Sequence, residues 1–242
     1  MKVRLGVALP IFEPTAEPAF SAAAEAEAEG LDGVFTYDHL WPLGNPGKPA
    51  IAAFPLLGAL CSRTSEIALG TLVARIGLMP EEYLLQALLS VEALSGGRLI
   101  AGIGTGDHKN APENAAYGIA FSPAEERREV LQRLALALVA SDVPTWIGGG
   151  APATSVIARR VGCTLNLWGA SPEAVAAEAR LGPVTWAGNL PRDRARAVEL
   201  LGALATAGAY WIVVHWPGSA AALLEAAEAA GIERFATGPS PR

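Results

Sequence analysis

The chain has 242 residues, of which 51% are hydrophobic, and it carries a formal net charge of -6 at pH 7. A chain of this length can bury one sizeable core, and we predict a single domain over residues 1–242. The negative charge and the lack of a basic run argue against nucleic-acid binding. No apolar stretch is long enough to span a membrane and the N-terminus is too short for a signal peptide, so we expect a cytoplasmic protein.

The sequence does not favour metal or disulfide chemistry. Cys61 and Cys163 lie far apart in apolar surroundings and are expected to be reduced, buried thiols. The three histidines form no pair with each other or with a cysteine at ligand spacing, so no metal site is predicted.

Short β-rich runs alternate with helical runs along the chain. Most of the predicted strands are apolar on both sides, which is typical of strands buried on both faces. The predicted strands are Val3–Leu9, Gly33–Tyr37, Ile67–Val73, Arg98–Ile103, Thr145–Ile147, Thr164–Leu167, Val184–Trp186 and Trp211–His215. The predicted helices lie near 15–30, 50–64, 80–95, 123–141, 152–161, 172–181, 191–207 and 218–230.

Eight strands and eight helices in alternation predict a parallel α/β sheet with helical crossovers. Eight such units in a chain of this length match a closed (β/α)8 TIM barrel. A doubly wound open sheet is the alternative, but its dinucleotide fingerprint should follow the first strand, where the chain reads PIFEPTAEP. We therefore predict a TIM barrel whose functional residues lie in the loops that follow the strands.

The run from Leu94 to Asp107, LSGGRLIAGIGTGD, contains glycines at every second position from 102 to 106. These glycines lie on one side of an extended backbone, and glycine weakens a strand unless something approaches the backbone closely. We expect a ligand to approach at Gly104, Thr105 and Gly106, where the strand becomes a polar loop. Asp107 could orient a group or exchange a proton; the alternative is a solvated loop carboxylate.

Asp38 and His39 follow the second predicted strand and are the best acid–base candidates. A histidine beside a carboxylate can be oriented and its charged form favoured, although adjacent residues at a strand end point in different directions. The alternative is a helix-capping aspartate and a surface histidine, and both interpretations stay open.

Two further groups of residues follow predicted strands. Gly148, Gly149 and Gly150 precede a helix that begins near Pro152, so their backbone N–H groups and the helix end could bind a phosphate; the alternative is a tight turn that needs glycine. Trp41, Trp168 and Trp216 could line an apolar pocket, and ordinary packing is the alternative.

Five segments resemble the luciferase-like monooxygenase superfamily. They are FTYDHLWP at 35–42, IALGTLV at 67–73, LSGGRLIAGIGTGD at 94–107, VPTWIGGG at 143–150 and NLWGASPE at 166–173. The resemblance is strongest to the branch of deazaflavin-dependent oxidoreductases, which use coenzyme F420. Similar segments extend in order from the first strand to the sixth helix, and more loosely to the end of the chain.

The resemblance implies a TIM barrel that binds a flavin or deazaflavin at its carboxyl-terminal face. A bulge with a non-prolyl cis peptide is expected in the third strand, at Leu72–Val73, behind the cofactor ring. The residues expected at the cofactor are Asp38, Thr71, Leu72, Val73, Gly104, Thr105, Gly106 and, at its phosphate, Gly148, Gly149 and Gly150.

The chemistry implied by the resemblance is hydride transfer between carbon 5 of the deazaflavin and a carbon of a small organic substrate. His39 is expected to stabilise charge or move a proton beside the transfer site, and Asp107 to act as its acid–base partner. Trp41 and Trp168 are candidate substrate-pocket residues. Homodimers are also implied, because many family members dimerise.

The chain departs from the family by lacking the usual insertion between helix 4 and strand 5, where only Ser141, Asp142 and Val143 separate the helix from Pro144. A smaller, more open pocket is expected. Two other functions remain as alternatives. One is an FMN-dependent monooxygenase of the bacterial luciferase type that works with a separate flavin reductase. The other is a truncated, non-catalytic barrel that acts as a binding or assembly protein.

Overall fold

Parallel strands buried on both faces form the centre of the computed structural model, which describes residues 2–235. The strands are β1 (Arg4–Ala8), β2 (Gly33–Thr36), β3 (Ala68–Thr71), β4 (Ala74–Arg75), β5 (Leu99–Gly104), β6 (Thr145–Gly148), β7 (Thr164–Trp168), β8 (Val184–Gly188) and β9 (Trp211–His215). The helices are α1 (Glu17–Ala28), α2 (Ala53–Arg63), α3 (Glu81–Ser95), α4 (Ala111–Ala116), α5 (Ala124–Ala140), α6 (Pro152–Val161), α7 (Pro172–Ala179), α8 (Arg194–Ala207) and α9 (Ala220–Ala229).

The strands close into a ring. Their order is β3-β2-β1-β9-β8-β7-β6-β5-β4, and β3 also pairs with β5, so no free edge is left between the first and last positions. Because β3 and β4 are two halves of one interrupted strand, the ring has eight strands. The predicted TIM barrel is confirmed, and the open-sheet alternative is wrong.

The interruption between β3 and β4 is a bulge of one residue. Gly70 pairs with Ile100 and Ala74 pairs with Ile103, so three residues on one side face two on the other. The peptide bond between Leu72 and Val73 lies inside this bulge and is cis, at the position expected from the family resemblance.

Three aromatic rings fill the interior of the barrel below the loops. Phe35 stacks on Trp146 with 5.0 Å between ring centroids, and Trp211 packs edge-on against both rings. Glycines on the first three barrel strands leave space for these rings, because a Cβ atom at Gly6 or Gly33 would lie about 3 Å or less from a ring carbon. These rings occupy the interior of the barrel directly below its loop end.

The connection between β5 and β6 differs from the prediction at one point. A 3-10 turn (His108–Asn110) and the short helix α4 precede α5, and neither was predicted. The expected lack of an insertion before β6 is confirmed, because α5 ends at Ala140 and β6 begins at Thr145.

No helix within residues 2–235 is long and apolar enough to cross a membrane. The prediction of a single domain over 1–242 also includes residues 1 and 236–242, which lie outside the described residues.

Candidate active site

A cavity of about 640 Å³ opens at the end of the barrel where the strands lead into their following loops. All the expected glycines at the strand ends line it, together with His39, Asp107, Leu72, Val73 and Trp168. The full lining is Phe12, Tyr37, His39, Pro42, Leu43, Leu72, Val73, Arg75, Gly104, Thr105, Gly106, Asp107, Asn110, Gly148, Gly149, Gly150, Ala151, Thr154, Asn166, Trp168, Asn189 and His215.

The bulge at Leu72–Val73 forms part of the cavity wall and explains the bare face of β5. A Cβ atom at Gly104 would lie 2.6 Å from Val73 Cγ2, and one at Gly148 would lie 2.7 Å from Val73 Cγ1. A Cβ atom at Gly102 would overlap the carbonyl oxygen of Thr71. The prediction that something approaches this backbone is right, and at Gly102 and Gly104 the chain's own bulge is such a group. Gly104 also lines the cavity, so its contact with a ligand stays a prediction.

The loop that follows β6 presents free backbone donors. Gly149 has a φ of 138°, which favours glycine, and its N–H donates to the carbonyl of Asn166 at 3.1 Å. Within residues 2–235, the N–H groups of Gly150 and Ala151 donate to no protein acceptor, and a Cβ atom at Gly150 would meet nothing within 4 Å. With the N-terminus of α6 directly behind it, this loop has the space and polarity to bind an anion.

His39 contacts a carboxylate that was not predicted. Its Nδ1 atom lies 3.1 Å from Oε2 and 3.2 Å from Oε1 of Glu113, a residue of α4. The aspartate next to it in sequence does not contact it. A carboxylate does contact the His39 ring, as expected, but it belongs to Glu113 and not to Asp38.

Glu113 is 1% exposed and accepts hydrogen bonds from several directions. The backbone N–H of Leu40 donates to Oε1 at 2.9 Å, and Nδ2 of Asn110 donates to Oε2 at 3.1 Å. Arg75 Nη1 lies 3.1 Å from Oε2. Burial alone raises the pKa of Glu113, but the charges of His39 and Arg75 and these hydrogen bonds outweigh it and hold the pKa below its usual range.

Asp38 and Thr71 are buried behind the cavity and do not line it. Asp38 Oδ2 accepts the backbone N–H of Arg75 at 2.9 Å, and Arg75 Nε donates to the carbonyl of Asp38 at 2.9 Å. Burial raises the pKa of the Asp38 carboxyl. Thr71 Oγ1 donates to the carbonyl of Gly102 at 2.6 Å. Both side chains hold β4 and the bulge against their neighbours, while direct cofactor contact by either one stays a prediction.

Asp107 lies on the exposed rim of the cavity. Its Oδ1 accepts the backbone N–H of Lys109 at 2.8 Å, so it caps the 3-10 turn. This contact corresponds to the structural interpretation of the aspartate. A role in proton exchange stays a prediction.

A group of aromatic rings lies beside His39, and the nearest, Phe12, is tilted against its ring with 6.4 Å between centroids. Phe12 stacks on Tyr37 with 5.9 Å between centroids, and Trp168 packs edge-on against Tyr37 at 5.7 Å. The hydroxyl of Tyr37 is 3.1 Å from His215 Nδ1. Desolvation raises the pKa of Tyr37 and lowers that of His215, so this pair is neutral near pH 7.

The tryptophans considered for an apolar pocket lie in different places. Trp216 is partly buried against the core and does not line the cavity. Trp168 is half exposed and lines the cavity. Trp41 is buried, packs against Tyr117 at 5.9 Å between centroids, and is not part of the lining. For Trp41 the structure therefore favours the packing interpretation.

A second cavity of about 590 Å³ adjoins the first and shares Thr105, Gly106, Asp107, Ala151 and Thr154 with it. Its outer wall is basic, because Arg127 and Arg128 of α5 line it. Arg127 Nε is held by the carbonyl of Thr105 at 2.8 Å. The loop that follows β6, a candidate anion-binding loop, thus lies between the first cavity and a more basic one.

A family model described as luciferase-like monooxygenase matches residues 3–181. The chain belongs to this family.

The luciferase-like chain matches curated relatives over part of their length. An F420-dependent glucose-6-phosphate dehydrogenase of Nakamurella multipartita is 36% identical over 107 residues, which cover 43% of this chain and 30% of that protein. The corresponding protein of Beutenbergia cavernae is 36% identical over 103 residues, which cover 42% of this chain and 30% of that protein. The chain therefore spans less than a third of the curated relatives that it matches.

Solved structures are similar over almost the whole chain. Coenzyme F420 dependent tetrahydromethanopterin reductase from Methanopyrus kandleri has a TM-score of 0.72 at 15% identity, covering 97% of this chain and 99% of that one. An F420-dependent secondary alcohol dehydrogenase in complex with an F420-acetone adduct has a TM-score of 0.67 at 16% identity, with 97% and 86% covered. EDTA monooxygenase from Chelativorans sp. BNC1 has a TM-score of 0.62 at 16% identity, and the match covers 83% of this chain and 68% of that one. At these identities the likeness shows a shared fold.

Proposed function

We propose that this luciferase-like protein is an oxidoreductase that uses coenzyme F420 to transfer a hydride to or from a small organic substrate. The observation that carries the proposal is the convergence of three elements on one cavity. The bulge at Leu72–Val73 supplies an apolar wall, the loop after β6 supplies the free N–H groups of Gly150 and Ala151, and His39 supplies a titratable group.

The residues of the cavity fit such a cofactor. The open space at Gly150 and the free N–H groups beside it suit a phosphate. Leu72 and Val73 offer a flat apolar surface to a ring. The second cavity, lined by Arg127 and Arg128, suits an anionic extension beyond the phosphate.

When bound, a deazaflavin exchanges a hydride at carbon 5, and the protein supplies position, dryness and proton handling. His39 is the group that takes or gives the proton on the substrate oxygen. Phe12, Leu43 and Trp168 supply apolar surfaces against which the carbon skeleton of a substrate would pack. Because Arg75 is the one cation among the lining side chains of the described residues and is already paired, the substrate is expected to be small and uncharged.

The names of the curated relatives favour F420 over FMN. The FMN-dependent monooxygenase remains a second candidate, because the solved monooxygenases share the fold. That candidate requires a separate flavin reductase. The homodimer and the cytoplasmic location stay predictions.

A titration of the purified protein with each cofactor, followed by absorbance and fluorescence, tests the proposal. We expect F420 to bind with a Kd in the micromolar range and FMN to bind more weakly. Tight FMN binding without F420 binding would reverse the order of the two candidates. Failure of both cofactors to bind would favour a non-catalytic barrel.

Gly150→Asp tests the anion-binding loop. The new carboxylate enters open space, so we expect the variant to fold, but its charge should repel a phosphate and weaken F420 binding at least about tenfold. Gly182→Asp is the matched control, because Gly182 also faces open space but precedes β8 at the opposite end of the barrel. Equal affinities of both variants and the parent would remove this loop from the cofactor site.

A further inference from the structure

We propose that Glu113 is a positioning residue that fixes His39 as the tautomer with its proton on Nδ1, so that Nε2 faces the cavity as the proton acceptor. The assignment of the tautomer rests on contacts alone. Only the use of Nε2 in catalysis rests on the proposed function.

The donors around Glu113 determine where the imidazole proton lies. Leu40 N–H and Asn110 Nδ2 can act only as donors toward its oxygens, and Arg75 Nη1 carries a positive charge. A carboxylate that meets these groups is ionised, and an ionised carboxylate only accepts hydrogen bonds. The contact of 3.1 Å between Oε2 and His39 Nδ1 must therefore be a hydrogen bond donated by Nδ1.

Burial and charge keep this arrangement fixed. Glu113 is almost fully buried, so its carboxylate cannot turn to water in exchange for the imidazole. The ionised form is favoured because the neighbouring positive groups and hydrogen bonds depress the pKa of Glu113. The charged or titratable groups that we identify around the His39 ring are Glu113 from α4, Arg75 from β4 and the adjacent Asp38.

The other face of the imidazole is free to act on a substrate. His39 lines the cavity, and its Nε2 has no hydrogen-bond partner within the described residues. In alcohol oxidation, the O–H bond would break and its proton would form an N–H bond at Nε2, while a bound oxidised deazaflavin would accept the hydride from the carbon and the C–O bond would become C=O. The imidazolium that results is stabilised by the Glu113 carboxylate; the reduction of a carbonyl runs in the opposite direction.

Nuclear magnetic resonance of the imidazole nitrogens tests the tautomer without cofactor or substrate. The chain has three histidines, so three variants assign every signal. At pH 8 we expect the His39 ring of the unsubstituted protein to carry its proton on Nδ1. In Glu113→Gln the side-chain amide can donate a hydrogen bond as well as accept one, so we expect the ring no longer to be held with its proton on Nδ1.

Glu27→Gln is the matched control. Glu27 also accepts several N–H donors, from Ser65, Glu66 and Ile67, but it lies in α1, outside the lining of the cavity. We expect this variant to lose thermal stability and to leave the tautomer of His39 unchanged. If Glu113→Gln does not fold, Glu113→Asp retains the charge, and the tautomer of the unsubstituted protein decides the question.

Two results would overturn the assignment: a His39 proton on Nε2 in the unsubstituted protein, or a His39 proton that stays wholly on Nδ1 in Glu113→Gln. The cofactor titration is a separate measurement. A confirmed tautomer together with absent cofactor binding would retain the role of Glu113 in orienting the ring and reject the proposed function.

Discussion

Gly102→Ala is expected to destabilise the barrel by about 3 kcal/mol or more, the largest effect of a single added methyl group on this fold. The new Cβ atom would overlap the carbonyl oxygen of Thr71, which belongs to the backbone of the bulged strand. A flexible side chain could move aside, but this oxygen can move only if β3 and the bulge move with it. Urea unfolding followed by circular dichroism measures the change in the free energy of unfolding.

Two controls separate a backbone clash from a side-chain clash. The Cβ atom of Gly104→Ala meets Val73 Cγ2, so adding Val73→Ala should restore part of the lost stability. The same second substitution should not rescue Gly102→Ala. Gly58→Ala lies in α2 with nothing within 4 Å and should stabilise the protein by about 0.5–1 kcal/mol. Unfolding free energies that are equal for Gly102→Ala and Gly58→Ala would contradict the role assigned to the bulge.

His39→Ala is expected to lower kcat about 100- to 10,000-fold with any substrate that the F420-loaded protein turns over. The physical reason is the loss of the ring nitrogen that exchanges a proton with the substrate oxygen. Because the imidazole contacts Glu113 and not the anion-binding loop, the affinity for the cofactor should change little. Steady-state kinetics and a parallel cofactor titration measure the two quantities separately.

Chemical rescue provides the control for this prediction. The space vacated by the ring is open to the cavity on one side, so added imidazole should restore part of the activity of His39→Ala. A variant whose kcat stays at the parental value would exclude His39 from the reaction. A variant that loses cofactor binding and activity together would indicate a structural role.

The fold could be predicted because its signals are local. Buried strands and amphipathic helices repeat in alternation, and that alternation selects a parallel barrel. The cis peptide at Leu72–Val73 came from the family resemblance, and periodicity alone could not have indicated it. Helix α4 was missed because six residues that include Pro112 carry too little apolar periodicity to be distinguished from a loop.

The same short helix explains why Glu113 was missed as a functional residue. It meets His39 across 74 positions of sequence, and no pattern in the chain connects the two. The sequence offered one weak indication of a functional role for Glu113. This carboxylate lies between Asn110 and Asn114, in the segment that joins the loop at Gly104–Gly106 to helix α5. Asp38 was the obvious partner by sequence, but adjacent residues at a strand end point in different directions, and its carboxyl accepts the N–H of Arg75 instead.

The glycines of β5 show a second limit of the sequence. Their spacing correctly indicated that something approaches the backbone, but a single sequence cannot distinguish a ligand from a neighbouring strand. Strand β5 and the bulged strand β3 are about 30 residues apart in the chain. Only the structure shows that Thr71 and Val73 pack against the glycines of β5.

The glycines packed against the bulge at Leu72–Val73 form a floor of the cavity that tolerates little change, whereas the rim of the cavity can accept substitutions. A side chain at Gly102 would meet backbone, and one at Gly104 or Gly148 would meet Val73, so single substitutions at these positions should destabilise the protein rather than yield new activities. Pro42, Leu43 and Trp168 lie on the cavity rim, and the last two are about half exposed. Directed evolution toward bulkier substrates should therefore succeed through the rim while the floor stays unchanged.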